Sequence, residues 1–384
     1  MNKQNQLINI HYSGKPYIIY KSKEGFNLFT NFSKKIVLNN NNIKSFLRKK
    51  YKNKSKSTDL FIGFFGYELL NNLINIKIPK QKNINFPKGI FYKPEKIINL
   101  SNNFRYNSNK SFRNNDFKIN INEISYTKIF NRFKKKIKSG ETYQIKICTK
   151  YKTKSKIDPL DFFSRLSKSN LAPEAFMIKD KDYSVISCSP ENLITRKGSV
   201  VSTKPIAGTL KKTKALNKVK ALNYFKKNLK ETKEHNMIVD MERNDLSRIC
   251  KVGSVKLSKQ KTVEEYKDLF HYVSLIKGIL KKDIKNIDII KAMMPGGSVI
   301  GCPKISTLNL LNKQEKENRN IYTGSFGYIR FNGDMRFNII IRSILNFKDF
   351  SEISVASGVV VDSNAKHEFN ENYIKAKALI DLFK

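Results

Sequence analysis

Two pairs of glutamates carry the first chemical signal. Glu231 and Glu234 stand three residues apart in a run with helical periodicity, and Glu368 and Glu371 repeat that spacing near the end of the chain. Residues three apart share a helix face. Four carboxylates converging from two helices would hold a hard cation through oxygen, and a partly hydrated Mg2+ there would take an anionic substrate. Each pair alone also suits a solvated acidic face. Glu371 and Lys375 form an i,i+4 couple that would serve equally as a surface salt bridge.

Four further stretches bear chemistry. Residues 295–304 (PGGSVIGCPK) read as a glycine turn entering a helix that Pro303 can start. Free N–H groups at such an end attract carboxylate or phosphate, although an ordinary Gly-Pro turn has the same sequence. In SCSPE (187–191), Glu191 follows Pro190 at the end of an expected strand. Desolvation there would raise its pKa and suit it as a general acid; a plain turn residue is the alternative. His271 lies in LFHYVS, read as helical with Ser274 one turn on, where it is a site residue or a satisfied core histidine. Arg342 interrupts the apolar run FNIIIRSIL and needs a partner: a carboxylate ligand held bidentately, or a structural salt bridge.

The elements that must position these groups follow from periodicity. Residues 125–139, 215–246, 264–280, 286–293 and 368–382 read as helices. Residues 143–151, 183–188, 193–196, 200–202, 322–331, 335–345 and 353–361 read as strands. Consecutive strands with short turns predict antiparallel sheets with helices packed outside. Gly63 and Gly66, in LFIGFFGYELL, suit close backbone approach.

Composition sets the bounds. With 384 residues, 40% of them hydrophobic, the chain can bury one large core or two small ones. The net charge of +42 invites a nucleic-acid reading. However, Lys, Asn, Ile, Phe and Tyr share A/T-rich codons, and only 12 of the 74 basic residues are Arg, the residue with a bidentate fork for bases. Genomic base bias accounts for the charge, and no specific nucleic acid is expected. Cys148, Cys188, Cys250 and Cys302 have no CxxC spacing, which fits a reduced, cytoplasmic protein. The start shows no signal-peptide pattern and no apolar run reaches membrane length, so no membrane association is expected. Motifs for pyridoxal phosphate, nicotinamide and flavin are missing.

The order of the segments says more than any one of them. GETYQIKICTKY, SCSPENLITRKG, KPIAGT, KETKEHNMIVDMERNDL, HYVSLIKG, PGGSVIGCPK, YTGSFGYIRFNGDMRFNIIIRS and ASGVVVDSNAKHEFNENYIKAK occur in that sequence. The chain thereby resembles the chorismate-binding enzymes: anthranilate synthase component I, aminodeoxychorismate synthase component I, isochorismate synthase and salicylate synthase. The likeness covers about residues 125–380, with a looser match through GFFGYEL. The implied organisation is an N-terminal subdomain over 1–120, similar to that of anthranilate synthase component I, and a chorismate-binding catalytic domain over 121–384. The implied fold is α+β, two facing antiparallel β-sheets wrapped by helices with the site between them.

The resemblance also implies roles. Glu231, Glu234, Glu368 and Glu371 would hold Mg2+ against the substrate's ring carboxylate. Glu191 would be the acid that helps the 4-hydroxyl leave, and His271 the site histidine. Arg342 would bind the pyruvyl carboxylate, assisted by Tyr322 and the backbone at Gly358. Gly208 and Thr209 would touch the ring carboxylate, Ser298 takes the hydroxyl position of the glycine loop, and Lys375 matches a lysine of the last helix. Members that add water carry a lysine base where this chain has Gln144, which favours amination. Aminodeoxychorismate synthases typically read PIKGT, with a nucleophilic lysine where this chain has Ala207; Lys204 should point elsewhere.

The reading is the large subunit of an anthranilate synthase, making anthranilate and pyruvate for tryptophan biosynthesis. Its ammonia would come from a separate glutamine amidotransferase subunit, since nothing resembles that enzyme's cysteine motif. PGGSV and the short length look more like the rival, aminodeoxychorismate synthase of the folate branch. Ile19 to Lys23 (IYKSK) match poorly the segment by which many anthranilate synthases bind tryptophan. Ser247, Ile300, Ser306 and the pair Ala356–Ser357 also depart from the family pattern. A basic nucleic-acid binder on a dead scaffold is the remaining rival.

Overall fold

The computed structural model describes residues 3–22, 25–74, 76, 78, 86–100, 106–108, 116–169, 172–266 and 269–384. The strands are β1 (Tyr17–Ser22), β2 (Gly25–Leu38), β3 (Leu60–Phe65), β4 (Gly89–Leu100), β5 (Lys118–Ile119), β6 (Gln144–Lys154), β7 (Ala175–Lys179), β8 (Tyr183–Ser187) and β9 (Asn192–Lys197). They continue with β10 (Val200–Lys204), β11 (Ile206–Lys211), β12 (Lys256–Glu265), β13 (Leu269–Ile279), β14 (Gly301–Cys302), β15 (Ser325–Arg330), β16 (Met335–Ile339), β17 (Ser343–Phe347) and β18 (Phe350–Val359). The helices are α1 (Lys3–Tyr12), α2 (Ile43–Arg48), α3 (Leu70–Leu73), α4 (Glu123–Lys138), α5 (Pro159–Ser169), α6 (Lys218–Lys227), α7 (Leu229–Ser247), α8 (Asn286–Met293), α9 (Lys304–Gln314) and α10 (Ala365–Ile380).

Antiparallel pairing joins the strands in one path, β12-β13-β10-β9-β16-β15-β3-β4-β2-β1-β7-β8-β17-β18-β6. β11 adds to β13, while β5 and β14 add to β6. This path doubles back, so its two halves face each other as the expected α+β layers. Phe176 of β7 stacks on Phe326 of β15 with ring centroids 3.7 Å apart, although β3, β4, β2 and β1 separate those strands along the path. Ile18, Ile62, Phe64, Ile90, Val185 and Leu345 complete this inter-layer core.

Helices cover the outer faces. Leu7 of α1, Phe162 of α5 and Leu379 of α10 pack over one half, and Phe133 of α4, Ile290 of α8 and Leu311 of α9 over the other. Strands from before residue 120 pair with strands after it, β1 with β7 and β3 with β15. Gly63 meets the close approach its sequence suggested: a Cβ there would lie 1.9 Å from the carbonyl oxygen of Ile90.

Three expected elements differ. The described residues within 264–280 are not helical; they lie mainly in the hairpin strands β12 and β13. β13 is flanked on both sides and buried on both faces at Phe270 to Ser274, so its apolar run has no alternation to betray a strand. The single helix over 215–246 is two, α6 and α7, parted at Asn228. Asn228 takes an extended backbone and its side chain accepts the N–H of Glu231, so it caps the second helix. The strand over 335–345 breaks into β16 and β17 around Ile340 to Arg342.

Among the described residues no helix is long and apolar enough to cross a membrane. The four cysteines are free thiols.

Candidate active site

The two glutamate pairs lie at the starts of their helices. Glu231 is in the first turn of α7, capped by Asn228, and Glu368 is in the first turn of α10, capped by Asn364. Both helix dipoles therefore favour these carboxylates in ionised form. Glu368 is 2% exposed and accepts a hydrogen bond from Ser363 Oγ at 3.0 Å. Candidate ligand atoms of His367, Glu368 and Glu371 lie within 4.8 Å of one another.

β6 bridges toward the other pair. Gln144 Nε2 donates to Glu234 Oε1 at 2.8 Å, and Lys146 Nζ lies 3.4 Å from the same oxygen. The Lys146 ammonium is the largest influence holding Glu234 below the usual carboxylate range. Burial raises Glu371, but Lys375 and then Lys146 outweigh it and hold its carboxyl low, against opposition from Glu234. Glu234 and Glu371 thus share one electrostatic neighbourhood. Lys375 Nζ contacts Glu371 at 2.6 Å and donates to the Ala356 carbonyl at 3.0 Å.

Glu231 borders the KPIAGT segment. Gly208 has φ +98°, and a Cβ built on it would meet Phe225 at 2.8 Å and Glu231 Oε2 at 3.0 Å. A side chain at 208 would therefore strike the carboxylate directly. Thr209 pairs with His271 across β11 and β13, and its Oγ1 lies 2.9 Å from His271 Nδ1. Burial, then the charge of Arg342, pushes the His271 imidazole down to about 4, so the ring is neutral at pH 7. Because His271 is on a strand, Ser274 does not share its face; Ser274 Oγ instead bonds His235 Nε2 at 2.7 Å. Ala207 is 6% exposed and packs with Ile238 and Met241. The Lys204 amine contacts Glu264 at 2.7 Å, and its charge also reaches His271.

Glu191 lies between β8 and β9, 5% exposed. Burial pushes its carboxyl up to about 7, against the opposing influences of Ser298, Lys146 and Arg342. Glu191 Oε1 and Ser298 Oγ are buried polar atoms that lack hydrogen-bonding geometry to any partner among the described residues. Such atoms suit a ligand that completes them. Ser298 sits in the short turn Gly297–Val299, ahead of the Pro303 N-cap of α9.

Arg342 explains the strand break. Its φ of +49° is left-handed, a conformation that costs a non-glycine residue about 1–3 kcal/mol. The turn that this creates brings its charge near both Glu191 and His271. Tyr322 precedes β15 rather than belonging to it, is 5% exposed, and packs with Cys148 and Ala356. Gly358 of β18 faces Lys146 in register.

Lys146 and His367 join the site without having been singled out from sequence. Lys146 had a signal: it is two residues from Gln144 on an alternating strand, hence on the same face. His367 adjoins Glu368 but is 69% exposed.

A family model described as chorismate binding enzyme matches residues 14–381. A Bacillus subtilis strain 168 protein named aminodeoxychorismate synthase component 1 is 34% identical over 264 residues, covering 68% of this chain and 56% of the relative. The chain thus spans little more than half the length of that relative. A Synechocystis protein named anthranilate synthase component I-like protein is 31% identical over 347 residues, 83% of this chain and 72% of the relative. The crystal structure of anthranilate synthase component I from Streptococcus pneumoniae TIGR4 aligns with a TM-score of 0.77 at 25% identity, over 95% of this chain and 90% of that one. Joined to a fold and a motif order that agree with them, these likenesses mean that the chain belongs to the chorismate-binding enzymes.

Proposed function

We propose that the chain is the large, aminating subunit of an anthranilate synthase, converting chorismate and ammonia into anthranilate, pyruvate and water. The observation that carries this reading is Ala207, which is buried among apolar side chains, with the nearby Lys204 amine committed to Glu264. No lysine at position 207 can attack the ring, so ammonia adds to ring carbon 2 directly. Gln144 supports amination in the same way, since its amide is not a base for activating water and is committed to Glu234.

Carboxylates suit Mg2+, which Glu231, Glu234, Glu368 and Glu371 would hold; Glu368 and Glu371 have ligand atoms within 4.8 Å of each other, and Glu234 acts electrostatically on Glu371. When bound, it supplies positive charge to the ring carboxylate. Arg342 holds the pyruvyl carboxylate beside Tyr322 and Gly358, and Gly208 with Thr209 borders the ring carboxylate. Neutral His271 keeps Thr209 oriented through Nδ1. As nitrogen bonds to carbon 2, the ring double bonds shift and the carbon 4–oxygen bond breaks. Glu191, whose raised pKa keeps a substantial fraction protonated near neutral pH, gives its proton to the departing hydroxyl as water. Loss of the carbon 2 proton with cleavage of the ring carbon 3–oxygen bond then aromatises the ring, and the departing enolpyruvyl group takes up a proton at its methylene carbon to leave as pyruvate. Lys375 and Ser298 line the same site. Ammonia would be delivered by a separate glutamine amidotransferase subunit, in the cytoplasm, for tryptophan biosynthesis.

A second reading, amination at carbon 4 to give 4-amino-4-deoxychorismate, is favoured by the name of the Bacillus subtilis relative. Product identity separates the two. The purified chain is incubated with chorismate, Mg2+ and ammonium, and the products are separated chromatographically. Anthranilate with pyruvate supports the first reading. A product that an added lyase converts to para-aminobenzoate overturns it.

A further inference from the structure

We infer that Lys146 is a tethered cation of the glutamate cluster, standing where a divalent ion on Glu234 would feel it and so weakening the site's affinity for that ion. The inference rests on reading the four glutamates as a divalent-ion site.

Geometry carries the argument. Lys146 Nζ lies 3.4 Å from Glu234 Oε1, the oxygen that also accepts Gln144. A metal ion bonded to that oxygen would face an ammonium across a single atom. The amine is fixed from three sides. Its side chain is 14% exposed, its backbone N–H donates to the Ile300 carbonyl at 2.9 Å, and its register partner is Gly358. A Cβ built on Gly358 would lie 2.8 Å from Nζ, so the glycine leaves just the room the amine fills. Lys375 differs: its amine is paired with Glu371 and the Ala356 carbonyl.

Two effects of the ammonium oppose each other. It repels an incoming dication, and it relieves repulsion between Glu234 and Glu371, to both of which its charge extends. A dication is repelled twice as strongly as a monovalent charge at the same distance. Glu371 also keeps Lys375 as a direct counter-ion when Lys146 is removed. Repulsion of the metal therefore dominates.

The test measures Mn2+ binding to the full chain without chorismate, by titration calorimetry and by the free-ion electron paramagnetic resonance signal. Lys146→Met, which keeps length and loses charge, is expected to bind Mn2+ at least about tenfold more tightly than the wild type, or about 1.4 kcal/mol. Lys146→Arg should match the wild type. Should the methionine variant be misfolded by circular dichroism, Lys146→Gln makes the same measurement. Equal affinities, weaker binding by the neutral variant, or no binding by either protein would overturn the inference. Chorismate turnover by the wild type is assayed separately, so failure of the proposed reaction and failure of this inference give different records.

Discussion

Replacing Glu191 by glutamine offers a sharp check on the site, because the consequence for stability has a definite sign and pH range. Burial lifts this carboxyl from 4.5 to about 7 in the folded chain. The folded state therefore holds the proton more tightly than the unfolded state, and stability falls as pH rises between those two values. Below about pH 4.5 both states are protonated and the buried group is neutral. Above pH 7 the folded chain carries a buried carboxylate at a cost of about 3 kcal/mol. Glutamine copies the shape of the neutral acid and never ionises. Glu191→Gln should thus match the wild type near pH 4.5 and exceed it by about 3 kcal/mol near pH 8.5. Urea unfolding of both proteins across that range measures the difference, and contributions from Glu68, which burial also raises to about 7, largely cancel between them. The same variant should lose about 100- to 10,000-fold in turnover, and wild-type turnover should decline as pH rises through 7. A stability difference that stays flat with pH would refute the assignment of a desolvated acid at this position.

Gly208→Ala forces an L residue to φ +98° and aims a methyl at Phe225 and Glu231. It should cost about 1–3 kcal/mol in thermal or urea unfolding and raise the Mg2+ concentration needed for half-maximal turnover. Glu371→Ala removes one candidate ligand and the direct partner of Lys375. Turnover with Mg2+ should fall by about 100-fold or more, on the order expected for a site that loses charge stabilisation, while circular dichroism stays unchanged; activity within a few-fold of the wild type would remove Glu371 from the metal set.

Much of the architecture was legible because local signals and tertiary demands agree. Helix α10 begins where Asn364 can cap it, and α4 where Asn122 caps Ser125. Gly140, φ +78°, closes the α4 turn. The β13 strand was not legible because sheet neighbours on both sides and burial on both faces remove the period-two signature, leaving a run compatible with either element. Arg342 defeats sequence reading differently. A left-handed turn ordinarily advertises itself with glycine or asparagine, and here the strain sits on an arginine inside an apolar run. Its chemical type hinted at a ligand, while its backbone gave no warning. Among site groups, the glutamates announced themselves by spacing on helices. Lys146 was hidden in plain alternation, since an abundance of lysine makes any one of them look like solvent decoration.

The doubled-back sheet has a consequence for how the chain reaches its final form during synthesis. β1 waits for β7, and β3 waits for β15, whose Gly327 can pair with Gly63 only once that distant strand has been made. Until then β3 offers an unpaired, wholly apolar edge, Leu60 to Phe65, to any neighbouring chain. Glu368 and Glu371 emerge after all of these strands, and the β6 face they meet must already be in place. Nascent chains are thus both inert and adhesive for most of their synthesis, which predicts slow folding, dependence on chaperones and a tendency to aggregate when expression outpaces them. The large positive charge, whatever its genomic origin, then acts as protection, keeping incomplete chains apart through mutual repulsion.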